Sequence, residues 1–489
     1  MLRNKPGVPA GWKKTARRDN RSSRRKDSAM DEILIKNGTV VFEHDTYPAD
    51  LLVRDGKIAA IFAPGNAPEE GKRILDITGL YVMPGSIDPH THWGIYKKYE
   101  EDVVEDSRRA VIGGLTTVLQ FHRHNYDYFD TVPDHIRFCE ENSMVDFTFS
   151  LGLVKKSHVA DLERYIKELK ITSFKFYLDK TNRLEEHYGL TKGTGLLGNK
   201  REVMDILTTL KKLDDDAVLC LHCEDTEIFY PEQRRTFEDP GLDQFHLSSY
   251  SKARPDFGEV SAIMSVLWVN HVAEGNIYIV HTSTGDGVRV ARQLRPILRG
   301  KTGIETCPHY LVLNENCPAG LNATVVPPIR TARDSEELWK GIQDGTVTSI
   351  GTDNCPCDLS TKYAKGTDIE HVTPGFPGAG TMLPVLISEG YHKRGIPLHR
   401  LSQVNSINSA RKFGLKTKGE IKVGMDADLA IMDLDWERTI DKSLFGHCDF
   451  SIYDGMTFKG WPRYTMVRGQ IVQKNGEICS TPVGRFLPR

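Results

Sequence analysis

The sequence predicts an α/β protein, a (β/α)8 TIM barrel with a small β-sandwich domain formed by both chain ends. Three observations point to it. Short apolar strands alternate with helical stretches through the centre of the chain, a spacing that implies parallel strands joined by crossover helices. Ligand-type side chains stand at the ends of several of these strands, where such a barrel assembles its chemistry. Hairpin-like segments near both termini share a texture that the centre lacks.

The 489 residues are 39% hydrophobic and carry a formal net charge of −2, enough chain for a large core and too balanced a charge for a nucleic-acid partner. Apolar runs fall short of the roughly 18 residues that span a bilayer, and no signal-peptide core is visible, so no membrane partner and a cytoplasmic location are expected. The nine cysteines are too sparse for a disulfide framework, and Cys139, Cys317, Cys448 and Cys479 have no ligand spacing; they read as reduced thiols.

Residues 1–30, basic from Lys13 to Lys26 and almost without apolar side chains, read as a disordered extension. Residues 31–82 are expected to begin the β-sandwich, with strands in Ile33-Leu34-Ile35, Thr39 to Phe42 and Asp50 to Ile58 and turns at Asn37-Gly38 and Asp55-Gly56. Residues 83–420 are assigned to the barrel. Residues 421–489 complete the sandwich through Gly424 to Met432 and Tyr464 to Val472, then end in an apolar-aromatic tail, Gly484-Arg-Phe-Leu-Pro488, assigned to oligomerisation.

The barrel strands are read at Leu115 to Phe121, Phe147 to Val154, Thr172 to Leu178, Ala217 to His222, Ile277 to His281, Gly303 to Cys307 and Val347 to Asp353, after an opening strand that runs into Asp88-Pro-His90-Thr-His92. Alternate residues of a strand share a face, so His90 and His92 can hold one ion between them. Lys175 and His222 interrupt apolar strands, and His281 and Asp353 end two more. All six would meet at one barrel mouth, a pattern that favours a metal site over isolated polar core residues. Cys220 and Cys223 have CxxC spacing without a second pair and read as packing residues. His122-Arg-His124 reads as a loop feature, and Cys355-Pro-Cys357 as structural.

These residues occur in an order that resembles the dihydropyrimidinase and hydantoinase group of cyclic amidohydrolases, in the amidohydrolase superfamily. The resemblance runs from about Ile33 to the end. It includes Met83 to His92, Ser173-Phe-Lys175, His222-Cys-Glu224, Ile279-Val-His281, Glu305 to Tyr310, Pro327 to Arg330, Gly351 to Cys355, Gly424 to Asp428 and Lys459-Gly-Trp-Pro462. It implies a metal-dependent hydrolase that opens a hydantoin, a dihydropyrimidine or a related ring. Lys175 would carry a carbamate (N6-carboxylysine) and join two divalent ions, zinc foremost, one held by His90, His92 and Asp353 and the other by His222 and His281. Asp353 would be the catalytic proton carrier, and a homotetramer is implied.

The substrate end departs from that pattern. The tyrosine usual five residues beyond the metal lysine is Lys180, Pro-Asn-Gly is replaced by Thr373-Pro374-Gly375, a later glutamate falls at Gly380 or Thr381, and the serine before the Pro-Pro pair is Val326. Tyr177, Lys180, Val326 and Gly375 are therefore the expected substrate contacts. Allantoinase and cyclic-imide hydrolase are the alternative activities, and a non-catalytic scaffold is the alternative of another class.

Overall fold

The computed structural model describes residues 32–178, 189–445 and 448–489; the basic extension and Lys180 lie outside them. The chain opens with β1 (Ile33–Val41), β2 (Thr46–Arg54), β3 (Lys57–Phe62), β4 (Arg73–Asp76) and β5 (Tyr81–Pro84). It then runs through β6 (Ser86–Thr91), β7 (Leu115–His122), β8 (Asp146–Gly152), β9 (Ser173–Tyr177), β10 (Val218–His222), β11 (Asn276–Ile279), β12 (Lys301–Thr306) and β13 (Ser349–Ile350). It returns as β14 (Leu429–Thr439), β15 (Thr457–Val467), β16 (Gln470–Lys474) and β17 (Glu477–Ile478).

Strands β6 to β13 pair in chain order as a parallel sheet. Its ends meet where the Asp353 N–H donates to the His90 carbonyl at 2.9 Å and the His92 N–H to the Asn354 carbonyl at 2.8 Å, so the eight strands form a TIM barrel. Helices such as Tyr99–Ile112, Lys200–Leu213, Asp256–Ala273 and Ala332–Asp344 occupy the crossovers. Alternation sorts the strand residues: in β10, Val218 and Cys220 join an interior cluster with Ile87, Leu119, Phe121, Tyr278 and Val280, while Leu219 and Leu221 join the larger cluster outside.

The other nine strands form one hydrogen-bonded sheet of order β17-β16-β15-β14-β5-β1-β2-β3, with β4 branching from β1. Both chain ends thus build one sheet, joined through the antiparallel β5–β14 pair. Asp55-Gly56 is the β2–β3 turn, with φ of 52° and 77°, as its composition requires. Asn37-Gly38, read as a turn, is instead a bulge inside β1, where the register with β2 shifts between Ile35 and Gly38. A Cβ on Gly38 would lie 2.2 Å from Ile77 Cδ1, so the glycine serves a close approach rather than a reversal.

A buried charge cluster ties the sheet to the barrel. Lys418 Nζ contacts Asp146 at the foot of β8, Asp428 at 2.6 Å and Asp426 at 3.1 Å, and the Arg468 guanidinium also reaches Asp146. The C-terminal tail packs on its own chain: Leu487 N–H donates to the Phe147 carbonyl at 2.9 Å, Phe486 lies 5.9 Å from the Phe147 ring, and Arg489 donates to the Phe149 carbonyl at 2.8 Å. Phe486 and Leu487 are partly buried there, at the foot of the barrel.

Lys418→Met should remove the one ammonium shared by the three carboxylates, leaving buried Asp146 to Arg468 and buried Asp428 to the Arg468 N–H alone. The expected loss is about 3–5 kcal/mol of stability, read as a lowered denaturation midpoint; an unchanged midpoint would remove the cluster from the account of how the two parts are held together.

Candidate metal centre

The seam between β6 and β13 builds the first group of ligand-type atoms. Ile87 faces the barrel interior, so strict alternation would send His90 and His92 outward. The register of β6 with β7 shifts between Asp88 and Thr91, and this irregularity reverses the parity, leaving both rings in the cavity. His90 Nε2 and His92 Nε2 each lie 3.2 Å from Asp353 Oδ1.

Opposite them, His222 Nδ1 faces His281 Nε2 at 2.9 Å. His222 follows the interior parity of β10. His281 does not, because Ile277 and Ile279 point outward; its left-handed backbone, φ 40°, breaks the alternation, and Asp353 is left-handed too, at φ 50°. Such conformations cost of order 1–3 kcal/mol each for a non-glycine residue and gather at functional sites. Lys175 projects from the interior face of β9, its Nζ 5.0 Å from the Phe121 ring centroid and 5.3 Å from that of Tyr177.

Two buried carboxylates orient these rings. Glu305 Oε1 accepts from His90 Nδ1 at 2.8 Å and from the His281 N–H at 2.8 Å. Glu224 accepts from His222 Nε2 at 2.8 Å and is gripped by Arg254 through bonds of 3.0 and 2.6 Å. Each outer nitrogen is thus committed as a donor, which turns a lone pair of the inner nitrogen into the cavity. Gly351 makes room for Glu305, since a Cβ there would lie 2.6 Å from Glu305 Oε2.

Burial pushes the imidazoles of His90, His92, His222 and His281 below their ordinary range, toward the neutral form that binds metal. Burial also lowers Lys175, to about 8. His90 Nε2, His92 Nδ1 and Lys175 Nζ are buried without a hydrogen-bond partner among the described residues, a costly arrangement unless something else satisfies them. His90, His92 and Asp353 offer ligand atoms within 4.8 Å of one another, and nitrogen and oxygen donors about one tetrahedral zinc stand roughly 3.3 Å apart at bond lengths of about 2.0–2.1 Å. The donor set therefore fits a divalent ion.

All six residues read from the sequence line one cavity of about 830 Å³, together with Tyr177, Val326 and Gly375. Cys355 lines it also, whereas Cys357 Sγ is spent on the Gly375 carbonyl at 3.5 Å. Of the other histidine pair, His122 ends β7 rather than lying in a loop; it is buried, with its Nε2 3.2 Å from the Tyr126 hydroxyl. The sequence reading gave no role to Asp88, Glu224, Arg254 or Glu305, although Glu305, a charge inside the buried strand β12, carries the signal that singled out Lys175.

A parallel barrel with imidazoles, a lysine and a carboxylate converging at the C-terminal ends of its strands defines a class, the metal-dependent barrel hydrolases. Within it, the profile described as Amidohydrolase family matches residues 81–472, and the chain belongs to that family. It is 31% identical over 475 residues to an allantoinase of Rubrobacter xylanophilus, covering 94% of this chain and 98% of that protein. It is 30% identical over 474 residues to a D-hydantoinase of Geobacillus stearothermophilus, covering 93% and 96%. Among solved structures, a dihydropyrimidinase from Brevibacillus agri superposes with a TM-score of 0.83 at 26% identity, covering 94% of this chain and 98% of that one.

The Glu224–Arg254 pair has a signed pH consequence. Burial alone would raise the Glu224 carboxyl, but Arg254 and His222 overturn this and hold it well below its usual range. A carboxyl lowered in the folded state adds stability above its unfolded value, lost as pH falls. Arg254→Met should therefore cost about 3–5 kcal/mol near pH 7, and urea midpoints should show wild type and variant converging as pH drops below about 4.5. A constant gap across that range would contradict the pairing.

Proposed function

We propose that the protein hydrolyses the C–N bond of a cyclic amide, such as a hydantoin, a dihydropyrimidine or allantoin, with His90, His92 and Asp353 holding one divalent ion, His222 and His281 a second, and a carboxylated Lys175 between them. Convergence of six ligand-type side chains from five strands on one cavity supports this, and it weighs against a non-catalytic scaffold. Relatives named allantoinase and D-hydantoinase stand at nearly equal identity, so the ring itself is the subject of the first experiment. The metal-loaded protein is screened against hydantoins, dihydropyrimidines, allantoin and cyclic imides, with elemental analysis of bound metal; no turnover of any of them would overturn the proposal.

When bound, divalent ions such as zinc polarise the scissile carbonyl and lower the pKa of water toward neutrality. The chain's residues do the rest. Glu305 and Glu224 hold the His90 and His222 rings in one tautomer. Asp353 accepts the proton of the attacking water and returns it to the leaving ring nitrogen. The Tyr177 hydroxyl, on the same strand face as Lys175, donates toward the oxygen that gains charge. Burial presses Lys175 toward neutrality, which favours attack of its amine on carbon dioxide with loss of a proton, and the resulting carbamate would supply the negative charge that a two-ion site needs.

Asp353→Asn retains the shape of the side chain and removes the base. The rate should fall on the order of 10²- to 10⁴-fold, in kcat more than in KM; a fully metal-loaded variant turning over at the wild-type rate would end the proton-carrier assignment. Lys175→Ala should lose metal and activity together, and short carboxylic acids should restore part of both. Two tightly bound ions and full turnover in that variant would dismiss the bridging role.

The proposal includes a homotetramer. Besides the C-terminal tail, whose Phe486 and Leu487 stay partly exposed, the surface that supports it is an apolar stripe on helix Asp256–Ala273, where Phe257, Met264, Trp268 and Val272 are each about half exposed or more. Light scattering at micromolar concentration should give four times 55.1 kDa, and a monomer or dimer mass would refute it.

A further inference from the structure

We infer that Lys362 is a positioning residue for the substrate: its buried ammonium stands behind the cavity and holds two wall segments, Val325-Val326 and Thr373 to Gly375, at the spacing that receives the ring. This rests on the cyclic-amide function proposed above and adds to it a residue that acts without touching the substrate.

Lys362 closes the short helix Leu359–Lys362 and is fully buried, yet it is not among the residues that line the cavity. Its Nζ donates to the Gly375 carbonyl at 2.8 Å, the Thr373 carbonyl at 3.1 Å and the Thr324 carbonyl at 3.4 Å. An ammonium has three N–H donors, so each is spent on one carbonyl. Among the described residues no carboxylate pairs with it. The titratable groups that face it are the thiols of Cys355 and Cys357, both kept neutral by burial, Cys357 with its value pushed up to about 11. Asp358, just before its own helix, is taken by Lys97 at 2.9 Å, and the Phe450 ring stands 5.9 Å away. A buried charge without a counter-charge is costly, and a methionine would fill the same space without that cost. What the ammonium adds is a directional hold on three carbonyls.

Those carbonyls belong to the wall. Val325, Val326, Thr373, Pro374 and Gly375 line the cavity, and Thr324 immediately precedes the first of them. The Gly375 N–H donates to the Thr324 carbonyl at 2.9 Å and the Thr373 N–H to the Lys362 carbonyl at 2.8 Å, so ammonium and backbone join the two segments at one point. The Tyr96 hydroxyl fixes the Pro374 carbonyl at 2.7 Å. Gly375 has a φ of 112°, and a Cβ there would lie 3.2 Å from Cys355 Cβ. The wall is thus pressed against the chain that carries Asp353, and the Cys355 N–H donates to the Phe376 carbonyl at 3.1 Å. A wall that slackens changes the room left for a ring beside the six converging side chains. A neutral amine has only two N–H donors and a lone pair, which would face a carbonyl oxygen, so loss of the proton releases one of the three. Burial brings that loss down to about 8.

The test follows kcat and KM of the metal-loaded full chain on dihydrouracil, hydantoin and allantoin from about pH 6.5 to 9.5. For the wild type, KM should rise above about pH 8 at the same pH for every ring opened, because the limb belongs to the protein, and kcat should not follow it. Lys362→Gln, with two N–H donors and no charge to lose, should raise KM about fivefold at pH 7 and Lys362→Met about 10²-fold, both without the alkaline limb and with wild-type metal content. Hydrogen exchange of residues 373–376 should be faster in Lys362→Met than in the wild type, with β7 and β9 unchanged. A flat wild-type KM, the same limb in Lys362→Gln, or a fall in kcat at constant KM would overturn the positioning role and leave the cyclic-amide function standing. Failure to open all three rings would count against that function instead, and equal exchange of residues 373–376 in wild type and Lys362→Met would then overturn the hold on the wall by itself.

Discussion

The barrel depends on one buried carboxylate at its seam. Asp88 accepts the Thr352 N–H at 3.0 Å, the Thr352 hydroxyl and the His90 N–H at 3.1 Å, linking the first strand to the chain that leaves the last. Burial pushes its carboxyl up to about 7 against the pull of these donors. His90 and His92 lie on one side of the seam and Asp353 on the other. Closing the sheet and assembling the first ligand group are therefore one structural event, and a barrel left open by one register would have no cluster.

The second group stands on strain and on orientation. His281 and Asp353 occupy left-handed backbone, and the stability lost there is offset by a barrel whose strands are buried on both faces. The rings are further held by carboxylates that have no business with solvent, Glu305 beneath His90 and Glu224 beside His222. Glu305 joins the two halves, since one oxygen accepts from the His90 ring and from the His281 backbone. A shift of either histidine is thus felt by the other, which keeps their nitrogens aimed at a common space.

Much of this was legible in the sequence. Strands buried on both faces must be continuous apolar runs, so the barrel strands stood out, and Lys175 and His222 stood out within them because a buried cation or imidazole is rare without a purpose. What was hidden lay in local departures from strand periodicity. The irregularity between Asp88 and Thr91 decides which face His90 and His92 occupy, and the turn at His281 reverses its parity; neither has a composition signal. Asn37-Gly38 shows the converse, since the same dipeptide serves a hairpin or a bulge according to what packs against the glycine. Glu305 and Arg123 share the Lys175 signal, a charge on a buried strand or at its end, yet their partners come from strands distant in sequence.

The division between the two ends of the cavity follows from where each is encoded. The ligand-type side chains are written in strand termini and the seam, and at the seam His90, His92 and Asp353 share their backbone with the bonds that close the barrel, so little can change there without loss of the fold. The facing wall of the cavity is written in the Thr373 to Gly375 loop, in Val325-Val326 and in Arg123, the residue that follows the last of β7. None of these carries barrel pairing. A proline there can delete an N–H and an arginine can enter beside Gly152 while the six converging side chains stay as they are. That separation lets a chain about equally related to an allantoinase and a D-hydantoinase keep the six converging side chains while the facing wall of the cavity changes.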